Sequence, residues 1–255
     1  MMVFTCEPDF EAMLTCIYDA WEWAIKNGHD NVQLKLEPVL QNSLFESYRH
    51  VERDSEKAEK VARSIRRKIS IQAYHCVYYA CLFFDDVLDI IYRYLRIGFK
   101  VGARVDQMLT EPSVMRMMEA RRKVGNEIHY FREFLRFHSL SDKIYISHFE
   151  PKCNVAYQVA VHFADRMPSE HFMIIDDNRQ FAVVHPADGE MYIQNLTKEQ
   201  LESLMKSEEY QDEFTELWKL FFHTISIKER ENYQCQRNMM PLWMRKHVTE
   251  FRDNK

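Results

Sequence analysis

Hydrophobic residues in the first half of the chain recur mainly every three or four positions, the spacing of an amphipathic helix. The first stripe follows Asp9, a candidate N-cap, and comprises Phe10, Met13, Leu14, Ile17 and Trp21. The second, within residues 54–70, comprises Ala58, Val61, Ala62, Ile65 and Ile69. Further helices are predicted over residues 70–84, over residues 86–97 with a stop at Gly98, and from Pro112 onward. A strand is predicted at residues 2–6, whereas the weakly periodic residues 31–50 are either irregular or contain a strand around residues 32–36.

The second half of the chain mixes helical segments with the alternation that is typical of strands. Strands are predicted over residues 134–139 and 143–149 around a turn at 140–142, and a meander over residues 172–176, 181–185 and 191–194. Helices are predicted over residues 154–167 and over residues 210–225. Between them, Thr197 and Gln200 form a capping box at the start of another predicted helix. The pattern predicts an α+β fold, with a mainly helical N-terminal half packed with a small antiparallel sheet from the C-terminal half.

The composition favours one continuous domain. Only 5 Gly and 7 Pro occur among 255 residues, which leaves little sequence for long flexible linkers. We therefore expect a single α+β domain over residues 1–255. Its helical part covers about residues 7–133, its sheet-containing part about residues 134–225, and a basic tail residues 228–255.

The net charge of −5 argues against an indiscriminate binder of polyanions, but the charge is unevenly spread. Residues 49–68 hold eight Lys or Arg against four acids, and residues 93–136 hold ten against five. Residues 162–217 reverse this balance, with thirteen acids against four bases. The basic stripe at residues 49–68 fits either a nucleic-acid contact or the solvated face of a helix, and both interpretations stay open here.

The six cysteines include no CxxC pair and no spacing of a zinc ribbon or an iron–sulfur ligand run. Because no signal-peptide pattern precedes them, reduced thiols and a cytoplasmic location are expected. The longest apolar runs, such as residues 73–84, are too short to span a bilayer, so no membrane association is expected.

Candidate chemistry concentrates in residues 123–180. His162 and Arg166 are four residues apart, so they share one helical face. A neighbouring Arg favours neutral imidazole, the form that acts as a general base. The alternative is a histidine at the edge of the core that bonds a backbone carbonyl.

Asp176 and Arg179 fall in a predicted hairpin turn, where Asp is favoured by local hydrogen bonding and needs no catalytic explanation. As a catalytic group, Asp176 would orient a water or a metal ion, and Arg179 would bind phosphate. No ligand spacing is diagnostic of a metal, and no metal site is predicted. Were a divalent ion bound, the first candidate ligands would be Asp176, Asp177 and His162.

Other polar residues have competing interpretations. On a predicted helix, Glu127 is placed to pair with Lys123, and His129 with Glu133. Arg132 is expected to form an ordinary ion pair. Arg136 is expected to bind phosphate from a sheet face, or to join Arg132 in gripping one anion if the helix continues, with an ordinary ion pair as the alternative.

The basic tail interleaves cations with aromatic residues. Arg245 and Lys246 lie close to Trp243, a combination that can contact phosphates and stack on bases. The same segment can instead dock on the rest of the protein. We favour docking on the sequence, with phosphate contact as the alternative.

Six ordered blocks cover most of the chain and resemble one known group of proteins. They are VFTCEPDFEAMLTCIYDAWE, DSEKAEKVARSIRRKIS, KVGNEIHYFREFLRF, FEPKCNVAYQVAVHFADRM, FMIIDDNRQFAVV and NMMPLWMRKHVTEF. On these blocks the chain resembles the bacterial family described as probable DNA metabolism proteins. Members of that family are encoded beside a DNA modification or repair radical SAM protein. A related domain is fused ahead of uracil-DNA glycosylase-like domains.

The resemblance implies a DNA modification or repair accessory protein that acts with a radical SAM partner and binds nucleic acid, the partner, or both. The chain lacks the CxxxCxxC cluster ligands, so the 4Fe–4S cluster and S-adenosylmethionine are expected in the partner and no cofactor in this chain. The polar residues that the resemblance marks as shared are Glu127, His129, Arg136, His162, Arg166, Asp176, Arg179, Arg245 and Lys246.

Two other functions stay open. The chain can be an enzyme in its own right, a hydrolase or nuclease acting on modified nucleotides or DNA. His162 would then be the general base, Arg166 and Arg136 would bind phosphate, and Asp176 would act beside them. It can also be a nucleic-acid-binding module whose affinity depends on the basic stripe at residues 49–68.

Overall fold

The computed structural model describes residues 1–39, 43, 45–141, 144–207 and 213–251. The chain divides into two compact units, Met1–Gly125 and Asn126–Lys255, here called the first and second unit. The single domain expected from the sequence stays a prediction. The two units are described separately below.

Among its described residues, the first unit contains a three-stranded parallel sheet, four complete α-helices and the first part of a fifth. Strands β1 (Met2–Cys6), β2 (Val32–Leu36) and β3 (Ser47–His50) are ordered β2–β1–β3. The helices are α1 (Phe10–Asn27), α2 (Ser55–Lys68), α3 (Ile71–Cys81), α4 (Leu88–Val101) and the first part of α5 (Pro112–Phe134). Helix α1 connects β1 to the parallel strand β2, so these three elements form a βαβ unit.

Local sequence signals explain where these helices begin. The Asp9 carboxylate accepts hydrogen bonds from the first-turn amides of α1, at 3.1 Å from both Glu11 N and Ala12 N. The Asp54 carboxylate caps α2 in the same way. The cap at Asp9 confirms the predicted N-cap, and Asp54 lies where the second helix was predicted to begin. Both carboxylates satisfy amides that have no partner inside the helix.

Two details of the first unit differ from the prediction. Strand β3 was not expected, since three of its four residues are exposed and no clear hydrophobic alternation marks it. Helix α4 continues through Gly98 and ends at Val101, before Gly102, where φ is +68°. At Gly98 a Cβ atom would lie 2.7 Å from Ile69 Cδ1, so this glycine permits close packing and does not stop the helix.

The second unit is built on a five-stranded sheet in the order β4–β5–β6–β7–β8. Its strands are β4 (His138–Ser141), β5 (Ile144–Phe149), β6 (His171–Asp176), β7 (Phe181–His185) and β8 (Tyr192–Asn195). Helix α6 (Ala156–Arg166) connects β5 to β6, which run parallel, whereas the other neighbouring strands are antiparallel. The α+β class and the sheet in the C-terminal half are confirmed. The sheet is mixed, not wholly antiparallel, because the α6 crossover brings β6 back in the direction of β5.

Helices complete the second unit: α7 (Lys198–Ser207), α8 (Glu213–Ile225) and α9 (Tyr233–Met239). The capping box before α7 is confirmed by reciprocal hydrogen bonds between Thr197 and Gln200. Helix α5 runs to Phe134 and β4 begins at His138, so the strand predicted from residue 134 was placed too early. Residues 142, 143 and 210–212, which entered the predicted turn, strand and helix, lie outside the described residues. Among the helices of the described residues, none is both long and apolar enough to cross a membrane.

Candidate functional site

Two clusters of ionisable residues lie at the ends of β5 and β6. Because these strands are parallel, their carboxyl ends meet at one edge of the sheet. Phe149 pairs with Asp176, so Glu150 follows one strand and Asp177 the other. Asp177 N donates a hydrogen bond of 3.1 Å to Phe149 O, which extends the pairing by one residue. Successive strand residues point to opposite faces, so Asp176 and Asp177 enter different surroundings.

The closed carboxylate cluster comprises Glu127, Asp176 and Arg179. Asp176 is fully buried, and its carboxylate accepts hydrogen bonds from Arg179 N at 3.0 Å and Arg179 Nη1 at 2.9 Å. The same guanidinium donates to the carbonyl oxygens of Pro151 and Lys152. Arg179 therefore holds the turn after β6 against the loop that follows β5.

Glu127 fastens the same loop from helix α5. Its Oε1 accepts hydrogen bonds from Lys152 N at 2.6 Å and Cys153 N at 3.1 Å. The predicted pairing with Lys123 is therefore wrong, because the buried end of the side chain is occupied by the loop. Burial raises the pKa of Glu127, opposed by hydrogen bonds from Cys153 and Lys152 and by the charge of Arg179. Burial likewise raises the pKa of Asp176, again opposed by Arg179.

The acid–imidazole cluster comprises Glu150, Asp177 and His247. One possible ligand atom from each residue lies within 4.8 Å of the other two. His247 Nε2 is 3.7 Å from Glu150 Oε1 and 3.7 Å from Asp177 Oδ2. These separations exceed hydrogen-bond length, although they allow electrostatic attraction when the imidazole is protonated.

Two neighbours shape the acid–imidazole cluster. His148, fully buried on β5, has its Nδ1 2.8 Å from Asp177 Oδ1, and its ring stacks on that of His247. Lys246 Nζ forms a hydrogen bond to Glu150 Oε1. Burial alone would raise the pKa of Glu150, but the hydrogen bond and charge of Lys246, together with His247, lower it overall. Glu150 is therefore ionised at neutral pH.

The tail groove is a cavity of about 1470 Å³ in the second unit that is bordered by Glu150 and the chain from α8 to the last described residues. Four cations line it: Arg230, Arg237, Arg245 and Lys246. Four aromatic residues line it as well: Phe222, Tyr233, Trp243 and Phe251. Arg245 lies over the Phe251 ring at 4.6 Å, and Lys152 lies over the Trp243 ring at 4.7 Å. The predicted mixture of cations and aromatic rings thus forms a groove.

The predicted phosphate-binding residues divide into two groups. Arg136 Nη2 is 2.6 Å from Glu250 Oε1, and its Nη1 donates to the carbonyl oxygens of Glu133 and Leu135 at the end of α5. Arg136 therefore caps a helix and pairs with a buried acid, and it does not lie on a sheet face. Arg179 is bonded to Asp176 and to the carbonyl oxygens of Pro151 and Lys152. Arg245 and Lys246 line the tail groove, where Arg245 donates to Met240 O and Gln236 Oε1 and Lys246 bonds Glu150 Oε1.

The predicted catalytic residues lie on two elements, His162 and Arg166 on α6 and Asp176 at the end of β6. His162 lies on α6, and its pKa is lowered by burial, by Arg132 and by Arg166, so the expected effect of a neighbouring Arg is confirmed. Within the described part of the chain, no hydrogen bond or ion pair joins His162 to Asp176. Arg132 donates to Gln158 O at 3.3 Å, a helix-to-helix contact and not the expected ion pair.

Two further predictions concern the pair of His129 with Glu133 and the suggested metal ligands. His129 Nε2 is 3.2 Å from Glu133 Oε1, which confirms that predicted pair. Of the three suggested metal ligands, only Asp177 belongs to the acid–imidazole cluster. Glu150, His247 and His148 were missed. A parallel pairing of β5 with β6 would have pointed to Glu150 and Asp177, whereas His247 comes from a distant segment without a recognisable spacing.

Comparison with known proteins identifies a family without an assigned activity. A protein-family model described as Domain of unknown function DUF4130 matches residues 85–250. The match contains both ionisable clusters and most of the residues that line the tail groove. No curated protein matches the chain.

Proposed function

From the premise that this chain belongs to the family described as Domain of unknown function DUF4130, we propose that it is a nucleic-acid-binding accessory protein of DNA modification or repair. The observation that carries the proposal is the tail groove, where four cations and four aromatic rings line one cavity. Cations attract phosphates, and aromatic faces stack on bases that are not paired in a duplex. The groove therefore suits single-stranded or locally opened DNA.

The basic stripe at residues 49–68 is a weaker candidate for this role. Most of its cations lie beside acids of the first unit: Arg49 and Lys57 beside Asp19, Arg53 beside Glu11, Lys60 beside Glu56, and Arg63 and Arg66 beside Glu59. A paired cation gives up an existing attraction when it binds phosphate, so its net contribution to affinity is smaller.

The accessory role adds a protein partner, which we propose to be a radical SAM enzyme carrying the 4Fe–4S cluster and S-adenosylmethionine. The identity of this partner rests on the resemblance of the sequence to the probable DNA metabolism proteins. Helix α8 supports a protein contact, because Leu217, Leu220 and Phe221 are each more than half exposed. We also propose a cytoplasmic location, which suits six free cysteines.

Binding to labelled single-stranded and duplex DNA over a salt series tests the groove. The test variant is Arg237→Ala combined with Lys246→Ala, and the matched control is Lys60→Ala combined with Arg63→Ala on the basic stripe. The groove variant should bind more weakly, with a salt slope smaller by about 0.7 for each lost contact to single-stranded phosphate. Trp243→Ala should weaken binding by about 1–3 kcal/mol if one base stacks there.

Two results would overturn this proposal. One is that the wild-type protein binds neither form of DNA at low salt. The other is that the stripe variant loses affinity while the groove variant keeps it. Copurification with the radical SAM protein, with and without DNA, tests the partner separately, and absence of association in both conditions would contradict it.

A second candidate function is hydrolysis of modified nucleotides or DNA by this chain. The observation in its favour is the lowered pKa of His162, which keeps the imidazole neutral and able to accept a proton at neutral pH. Turnover of damaged oligonucleotides by the pure protein, abolished by His162→Ala with an unchanged circular dichroism spectrum, would support it. No turnover by the wild-type protein, with or without added divalent ions, would contradict it.

A further inference from the structure

We propose that Glu150, Asp177 and His247 form a binding site for a first-row divalent metal ion, with Zn²⁺ as the best match. This inference rests on the geometry of the acid–imidazole cluster and does not depend on nucleic-acid binding. Two carboxylates and one imidazole offer the mixed oxygen and nitrogen donors that Zn²⁺ and Mn²⁺ accept, whereas Mg²⁺ prefers oxygen donors only.

The distances suit a shared ion. Ligands about 2.1 Å from a tetrahedral metal are separated from one another by about 3.4 Å. His247 Nε2 is 3.7 Å from the nearest oxygen of each acid, so a small inward movement of these side chains would close the site. Three protein ligands leave at least one further coordination position, the arrangement of catalytic rather than structural zinc sites.

Asp177 supplies an independent indication that a cation belongs here. Its side chain is only 4% exposed, and its Oδ2 atom is buried without a hydrogen-bond partner in the described residues. This is the oxygen that faces His247 Nε2. An uncompensated carboxylate oxygen is costly to bury, and a coordinated cation would remove that cost.

His148 provides the support that metal-binding carboxylates ordinarily have. Its Nδ1 lies 2.8 Å from Asp177 Oδ1, so an N–H at that atom donates to the oxygen that faces away from His247. Such a bond fixes the carboxylate while Oδ2 stays available to a metal. His148 is thus a positioning residue of the site.

Lys246 is the internal competitor for the metal. Its ammonium group bonds Glu150 Oε1, the same oxygen that lies nearest to His247. The lysine side chain is 60% exposed and can turn towards solvent when an ion arrives. Removing this cation should therefore strengthen metal binding. The alternative explanation, a network of ion pairs only, predicts no such gain.

Isothermal titration calorimetry of the chelator-treated full chain with Zn²⁺, Mn²⁺ and Mg²⁺ tests the site. The wild-type protein should bind one Zn²⁺ or Mn²⁺ ion and bind Mg²⁺ more weakly. Asp177→Asn and His247→Gln should each weaken Zn²⁺ binding by at least about tenfold, and Lys246→Met should tighten it. His129→Gln combined with Glu133→Gln, which removes an exposed His–Glu pair of the same unit, is the matched control and should leave affinity unchanged.

Circular dichroism distinguishes loss of the site from loss of the fold. If the wild-type chain binds neither Zn²⁺ nor Mn²⁺, or if Asp177→Asn and Lys246→Met leave their affinities unchanged, the cluster is an ion-pair network and the proposal is wrong. If either single-ligand variant unfolds, Lys246→Met decides the matter: tighter Zn²⁺ binding supports the site and unchanged or weaker binding overturns it.

Discussion

The closed carboxylate cluster and the acid–imidazole cluster include adjacent aspartates, yet the two aspartates differ in how fully their charges are compensated. Asp176 receives two hydrogen bonds from Arg179, one from its backbone and one from its guanidinium. Asp177 has one oxygen near His148 and another that lies 3.7 Å from His247. The first cluster is internally compensated and holds a loop in place. In the second cluster, Asp177 keeps a carboxylate oxygen that can bind a ligand.

The largest expected effect comes from removing the compensating cation of the closed carboxylate cluster. Arg179→Ala leaves Asp176 buried without its partner and removes the donors to Pro151 O and Lys152 O. The free energy of unfolding should fall by about 3–5 kcal/mol, the usual cost of breaking a buried ion pair. Urea denaturation measures this loss, and a change below about 1 kcal/mol would show that Arg179 does not hold the fold.

Glu127→Gln should have a smaller effect because the amide keeps one acceptor oxygen for Lys152 N and Cys153 N. The loss should be about 1–3 kcal/mol, since charge-assisted hydrogen bonds become neutral ones. The same urea experiment measures it. Glu133→Gln on the exposed side of α5 is the control and should stay close to the wild-type protein. Equal losses in both variants would argue against a special role for Glu127.

Asp177→Asn should change stability least among these substitutions, by no more than about 1 kcal/mol in metal-free buffer, because it removes a charge that lacks full compensation. It can even stabilise the protein. Thermal unfolding of Asp177→Asn and wild-type protein after chelator treatment gives the comparison. A loss as large as that of Arg179→Ala would mean that the two clusters are equally structural.

The pH dependence of stability should also separate the clusters. Burial raises the pKa of Glu127 from 4.5 and that of Asp176 from 3.8, so the folded state holds protons that the unfolded state has lost. Stability should therefore decrease as pH rises from these ordinary values to the raised ones, and level off above them. Glu127→Gln should flatten this decrease in urea titrations, whereas Glu133→Gln should preserve it. An unchanged slope in Glu127→Gln would contradict the assignment.

Local signals allowed much of the fold to be predicted. The caps at Asp9 and Asp54 and the box of Thr197 with Gln200 depend on residues within one turn of each other, so they can be recognised in the sequence. Strand β3 could not be recognised, because its residues are largely exposed. Gly98 was misread, since its packing against Ile69 joins a position on α4 to the residue that follows α2.

The candidate site was less predictable than the fold. His162 and Arg166 were identified from helical spacing, which is local, and the lowered pKa of His162 follows from it. The acid–imidazole cluster depends instead on the parallel direction of β5 and β6 and on the return of the tail to Glu150. Neither arrangement leaves a periodic trace in the sequence, so Glu150 and His247 were not suggested as ligands, and Asp177 was suggested only together with Asp176 and His162.

The pairing of Phe149 with Asp176 has a consequence for how the sheet selects its alignment during folding. A slip of one residue along β6 would turn every side chain of that strand to the other face. Arg179 lies in the same turn as Asp176 and would shift with it, so its guanidinium would lose the carbonyl oxygens of Pro151 and Lys152. An apolar side chain would occupy the place of Asp176. The contacts of Arg179 with the loop after β5 therefore penalise incorrect strand alignment.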